Sequence, residues 1–218
     1  QDLGAKGCAP VIGRSARPPL RDAALMNGTL IHGLDFDDTH ISGVVHGSAS
    51  AVPVMLAQGA RASGREALTA YLIAIETGAR IGMAAKGGFH RLGYHPTGIV
   101  GAFACALAAG RLKRLSQERL VHAQGIVLSQ ASGTFEFLEE GAWTKRMHPG
   151  WAALSGITAA ALAGAGFVGP AKPYEGRFGL YKTHLGKDAE IDWQALTSGP
   201  GDEWEMLRVA LKPYPLCH

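Results

Sequence analysis

The densest run of chemistry-bearing residues is His32, Asp35, Asp37, Asp38, Thr39, His40 and His46. Asp35, Asp37 and Asp38 crowd three carboxylates together, and their mutual repulsion must be offset by solvent, cationic neighbours, a metal or a helix N-terminus. If the preceding helix persisted through this stretch, Asp35 and Thr39 would share a face at i, i+4 while Asp38 pointed elsewhere. A solvated loop with an aspartate N-cap accounts for the same residues. A metal site would need three or four of these side chains to converge on one point, and their spacing matches no established metal motif.

Two further clusters complete the inventory. His90, His95, Pro96 and Thr97 precede an apolar small-residue run, which places His95 just before a helix start, where a neutral imidazole can face a cleft. Thr144, Lys145, Arg146, Met147 and His148 also precede an apolar run. Two cations at a helix start make an anion site, because backbone donors and the helix dipole add to the side-chain charge. Each cluster alone fits an ordinary cap or solvated loop equally well. Together they supply carboxylate, imidazole and cation at three helix junctions. That set suits binding a polycarboxylate and moving a proton at the carbon beside a carboxylate.

The elements that must position these residues read as helices. Helical texture runs from Leu20 to about Leu34. A second helix is expected from about Ala51 to Ala62, with Pro53 in its first turn. Ser63 and Glu66 form a capping box ahead of Leu68, Tyr71, Leu72, Ile75, Ala79 and Ile81. Further helices are expected over about Thr97–Leu112, after a cap at Ser116, from Trp151 to Ala165, and from Asp202 to Leu211. Residues 1–19 read as loop or edge structure, and no alternation of period two with useful length appears before residue 175. The fold class is therefore mainly α.

Composition removes several function classes. The chain has 218 residues, 47% hydrophobic and 18% charged, with a mean hydropathy near zero, so it can bury a core and is not a disordered chain. A net charge of +3 without a basic stripe gives no support for a nucleic-acid partner. Cys8, Cys105 and Cys217 lie far apart with no CxxC pair, which suits a reducing compartment and a cytoplasmic location. Residues Ala152 to Ala171 carry no charge, yet their Ala, Gly, Ser and Thr content suits a buried bundle helix better than a membrane span.

The run from Asn27 to Thr39, with His46-Gly47-Ser48 and Pro53, resembles the signature of the MmgE/PrpD family. His95-Pro96-Thr97-Gly98, Thr144-Lys145 with His148, Phe167-Val168-Gly169-Pro170 and Lys212-Pro213-Tyr214-Pro215 resemble further family text in the same order. The resemblance implies a large all-helical domain plus a smaller α+β lid, homodimers, and work without metal or organic cofactor. It implies 2-methylcitrate dehydratase, cis-aconitate decarboxylase or iminodisuccinate epimerase chemistry on a small di- or tricarboxylate, with a dehydratase as the first expectation. Asp35, Thr39, His46, His95 and Lys145 match family active-site positions, and Asp37, Asp38 and His148 match motif text. On this reading Lys145, joined by Arg146, holds a substrate carboxylate. His46 or His95 acts as acid or base, Asp35 orients or polarises an imidazole, and Thr39 adds a hydrogen bond. The chain would be one helical domain over 1–211, incomplete at its start, with 212–218 opening a junction to the lid. His218 falls too early in its motif to be the family's further histidine. Two alternatives stay open: a metal-dependent hydrolase using His32, Asp35, Asp38 and His46, and a helical scaffold inactive by itself.

Overall fold

A computed structural model describes residues 6–59, 62–199 and 201–216. In chain order the elements are α1 (Leu20–Ile31), β1 (Asp38–His40), α2 (Gly47–Gln58), α3 (Gly64–Ala84), α4 (Gly88–Arg91), α5 (Pro96–Leu112), α6 (Gln117–Leu128), α7 (Phe137–Glu140), α8 (Thr144–Gly164), α9 (Leu180–Leu185), α10 (Trp193–Thr197), a 3-10 helix (Glu205–Arg208) and β2 (Val209–Leu211). The described residues are mainly helical, as the sequence predicts.

Helix α5 is the axis of the bundle. It is buried at every position from Pro96 to Gly110 except Leu107, and it packs against α8, α3, α2 and α6. Its Gly and Ala residues let backbones close in. A Cβ added at Gly156 of α8 would lie 2.4 Å from the Cys105 Cβ of α5. Helix α1 crosses α8 in the same manner, with a Cβ at Gly150 falling 2.2 Å from the Leu25 carbonyl oxygen. The uncharged run from Ala152 packs into the core along one face of α8, while Ala161, Leu162 and Ala165 to Val168 are exposed, and no helix of the described residues is long and apolar enough to cross a membrane.

Local signals fix several helix starts. Ser63 Oγ accepts from the Glu66 amide while Glu66 Oε2 accepts from the Ser63 amide at 2.9 Å, completing the expected capping box. Ser116 Oγ accepts from the Arg119 amide.

Several boundaries differ from the sequence reading, among them the end of α2 at Gln58 rather than Ala62, with Pro53 inside the helix and not in its first turn. Helix α1 ends at Ile31, short of Leu34, and Asp35 adopts a left-handed φ of 53°. Asp35 and Thr39 therefore share no helix face. Helix α2 starts at Gly47, before Ala51, because the Asp38 carboxylate accepts from the Ser48 amide at 3.1 Å and stabilises a first turn that lacks a local cap. Helix α8 starts at Thr144 and runs through Pro149, ahead of the expected start at Trp151. The proline removes one i to i−4 bond, and the close packing of Gly150 on Leu25 holds the helix together across it. The helix expected over 202–211 shrinks to the 3-10 turn, because 209–211 pair with β1 instead. That antiparallel ladder sets Asp38 opposite Leu211, Thr39 opposite Ala210 and His40 opposite Val209. Three-residue strands leave too little alternation to detect in sequence.

Candidate active site

The α1–β1 loop, the start of α2, the start of α5 and the first turns of α8 meet around a group of imidazoles. Residue Lys212, directly after β2, closes the group from the far end of the chain.

Asp35 is the hub. Lys145 Nζ donates to its Oδ2 at 2.5 Å, and Lys212 Nζ donates to Oδ1 at 2.5 Å and to the backbone carbonyl at 2.9 Å. Burial favours the neutral acid, but hydrogen bonds and charge from the two lysines outweigh it and hold the carboxyl well below the usual range. Asp37 Oδ2 lies 2.5 Å from Nδ1 of fully buried His32. Burial again opposes ionisation, and the His32 contact, with His46 and Lys212, lowers the Asp37 pKa.

His46 is held at its backbone and at one ring nitrogen. Its amide donates to Thr97 Oγ1 at 3.0 Å, and Nδ1 lies 3.0 Å from both Thr39 Oγ1 and the Asp38 carbonyl. A carbonyl only accepts, so Nδ1 carries the proton and Nε2 is the basic nitrogen. Burial first, then His32 and Lys212, push the His46 pKa down to about 4 against the pull of Asp37. The imidazole is neutral at neutral pH.

His95 caps α5, and its Nδ1 lies 2.9 Å from His148 Nδ1, so one ring donates and the other accepts. Burial, reinforced by His148 and the other nearby cations and imidazoles, drives the His95 pKa well below its ordinary value. His148 falls to about 4, from burial and then His32 and Lys145. The Phe135 and Phe137 rings pack 5.7 and 6.2 Å from His95 and help keep it dry.

The residues singled out in the sequence do not all converge. Asp35, His46, His95 and Lys145 do: His46 Nε2 is 4.0 Å from Asp35 Oδ1, and the His46 and His95 ring centres are 6.0 Å apart. Thr39 sits behind His46, on its Nδ1. Arg146 is exposed and stacks 4.7 Å over the Trp143 ring at the cleft mouth. Asp38 turns away to cap α2, and burial raises its pKa despite the Ser48 bonds. The set His32, Asp35, Asp38 and His46 thus does not close on one point. Among the described residues the groups compact enough for a cation are His32 with His46 and His95, and His32 with Asp35 and Asp37. His40 faces Glu205, His90 is exposed, and His218 lies outside the described residues. Lys212 and the Asp37–His32 contact had no assigned role in the sequence reading. The Lys-Pro-Tyr-Pro text marked Lys212, but nothing local places it 177 positions back on Asp35.

A cleft of about 330 Å³ opens onto this group, lined by His32, Asp35, Phe137, Lys145, Arg146 and Leu216 among others. Its size suits a small organic acid. A second hollow of about 610 Å³ reaches His148 from the α7 side, past Glu136, Glu140 and Trp151.

Comparison with known proteins agrees with the motifs. The MmgE/PrpD N-terminal domain matches residues 1–192. A cis-aconitate decarboxylase-like protein of Aspergillus oryzae is 30% identical over 225 residues, covering 97% of this chain and 46% of its own length. A cis-aconitate decarboxylase of Aspergillus terreus is 28% identical over 223 residues, covering 97% of this chain and 45% of its own. The human cis-aconitate decarboxylase is 34% identical over 159 residues, covering 70% of this chain and 33% of its own. The chain spans less than half the length of these relatives.

Proposed function

This chain belongs to the MmgE/PrpD family, and on that premise we propose that it supplies the helical half of a lyase site acting on a small tricarboxylate. The observation that carries the reading is the buried meeting of two lysines, two ionised aspartates and neutral imidazoles beside a small cleft. An incoming substrate carboxylate can exchange for Asp35 on Lys145 or Lys212 at little electrostatic cost, since one anion replaces another. Lys145 therefore serves as the carboxylate clamp, with Arg146 at the cleft mouth. His46 serves as the proton-transfer group, positioned by the Asp38 carbonyl and Thr39. His95 backs it from the α5 cap. Asp35 acts on the lysines rather than as the hydrogen-bonded orienter of an imidazole.

Among outcomes, decarboxylation has the support of the relatives named above, and dehydration of a 2-methylcitrate-like substrate is the second reading, supported by the sequence motifs. In decarboxylation one carboxylate leaves as CO2, its bonding pair moves into the adjoining carbon skeleton, and an imidazolium supplies a proton at carbon. In dehydration a neutral imidazole first removes a proton beside a carboxylate, and hydroxide departs from the next carbon with a proton from an acid. Bound carboxylates would raise the His46 pKa from about 4, so the same ring can carry a proton once substrate is present. Developing negative charge meets the lysines in both cases. We also propose a homodimer as the working assembly.

The test is a substrate panel of cis-aconitate, 2-methylcitrate, citrate and iminodisuccinate. It is run on this chain and on a protein of the relatives' full length, with product identified by NMR. CO2 release from cis-aconitate supports the first reading, and water loss from 2-methylcitrate supports the second. Turnover of none of the four by the full-length protein overturns both.

A further inference from the structure

Proton transfer accounts for the basic nitrogen of His46 but not for one of His32. His32 is completely buried, and its Nε2 has no hydrogen-bond partner among the described residues. Buried polar atoms are seldom left so. The neighbours of that ring are the other two buried imidazoles. The ring centres of His32, His46 and His95 are 4.9, 5.8 and 6.0 Å apart, and one nitrogen of each lies within 4.8 Å of the others.

In each of the three rings Nδ1 is anchored. His32 Nδ1 donates to Asp37, His46 Nδ1 donates to the Asp38 carbonyl, and His95 Nδ1 pairs with His148 Nδ1. A carboxylate behind His32, a carbonyl behind His46 and, with the shared proton on the His95 side, the His148 imidazole behind His95 make the outer-shell arrangement that orients histidines toward a metal and fixes their tautomer. The three rings come from different elements, the end of α1 and the caps of α2 and α5, so the packed bundle holds them without a local sequence motif. Asp35 and Asp37 pair with Lys145 and Lys212 and offset part of the lysine charge beside the rings.

We propose that His32, His46 and His95 form a three-imidazole site for a borderline divalent cation such as Zn2+, and that its occupancy inhibits the enzyme. Zinc–nitrogen bonds of about 2.1 Å in tetrahedral geometry put ligand nitrogens about 3.4 Å apart, so binding draws the three rings closer than their present spread of up to 4.8 Å. Solvent takes the fourth position. Mg2+, which demands oxygen ligands, does not bind. Inhibition rests on the proton-transfer reading of His46, whereas binding does not, and the two are measured separately.

The experiment is titration of the 218-residue chain with Zn2+ by calorimetry and with Co2+ by visible absorption. One equivalent is expected, with a tetrahedral Co2+ spectrum and no response to Mg2+. His32→Gln and His95→Gln should each weaken binding at least 10-fold, while His90→Gln with His184→Gln, both outside the site, leaves it unchanged. If either site variant misfolds by circular dichroism, 113Cd NMR of the unaltered chain reads the ligands directly: a shift characteristic of nitrogen ligation supports the site, and one characteristic of oxygen ligation overturns it. Unchanged binding in folded His32→Gln, or no binding tighter than millimolar, also overturns it. Inhibition is read on the full-length protein with its best substrate: turnover that falls with one bound equivalent of Zn2+ supports it, and turnover unchanged at that occupancy removes the inhibitory role while leaving the binding site intact.

Discussion

Asp35 presents both carboxylate oxygens to lysines that reach it from opposite ends of the fold. The two lysines are not equivalent. Lys145 is partly exposed along the cleft, whereas Lys212 is buried and also grips the Asp35 backbone. Lys145→Ala should reduce turnover of the full-length enzyme by about 100- to 1000-fold, the effect of losing one positioned donor to developing charge. Steady-state kinetics on the best substrate of the panel checks this, and near-normal turnover would remove Lys145 from the site. A different residue-scale expectation concerns Cys105, whose thiol is pushed up to about 12 by complete burial, with only a hydrogen bond from the Ser50 side chain opposing. An acid with a raised pKa stays protonated, so at pH 8 Cys105 should resist iodoacetamide while exposed Cys8 is alkylated. Peptide mass spectrometry reads both sites, and equal labelling would show that the core opens.

At the scale of elements, helix starts depend on contacts both local and distant. The Ser63 and Ser116 caps are legible because the capping oxygen and the amide it accepts from lie three residues apart. The α2 cap is Asp38, ten residues before Ser48, and no window centred on the helix contains it. Asp38→Ala should cost about 1 kcal/mol from the lost cap, and a chain of this size should melt about 2–4 °C lower, as read by thermal circular dichroism. The α1–α8 crossing carries a larger expectation. A methyl at Gly150 would meet the Leu25 carbonyl at 2.2 Å, so Gly150→Ala should destabilise by about 1–3 kcal/mol through overpacking. Gly64→Ala, where the added Cβ meets nothing within 4 Å, is the control and should melt close to the parent.

Across the whole molecule, the C-terminal segment is fastened to the rest of the fold at four places before it delivers Lys212. Arg80 of α3 donates to the carbonyls of Ser198 and Glu203 at 2.6 and 3.1 Å, and Glu76 accepts from the Met206 amide at 3.0 Å. Buried His40 meets buried Glu205 at 2.9 Å, and the β1–β2 ladder follows directly. Removing His40 leaves Glu205 with its Arg208 contact at 3.3 Å but one carboxylate oxygen without its buried partner, at a cost of about 1–3 kcal/mol. His40→Ala should therefore lower the melting temperature and increase amide exchange through 209–211. If exchange there is unchanged, the His40–Glu205 contact does not hold the strand.

The sequence by itself determined the helical class, the small-residue packing of α5 and α8, and the three polar junctions that hold Asp35, His46, His95 and Lys145. Those signals are local: capping residues, apolar spacing and short motifs act over a few positions of the chain. Only the tertiary structure decided that Asp38 leaves the cluster to cap α2, that α8 continues through Pro149, and that Lys212 completes the charge balance on Asp35. It also decided that Asp37 braces His32 and that three imidazoles from three elements face one another. Each of these depends on packing between segments distant in sequence, where burial and charge compensation outweigh local propensity.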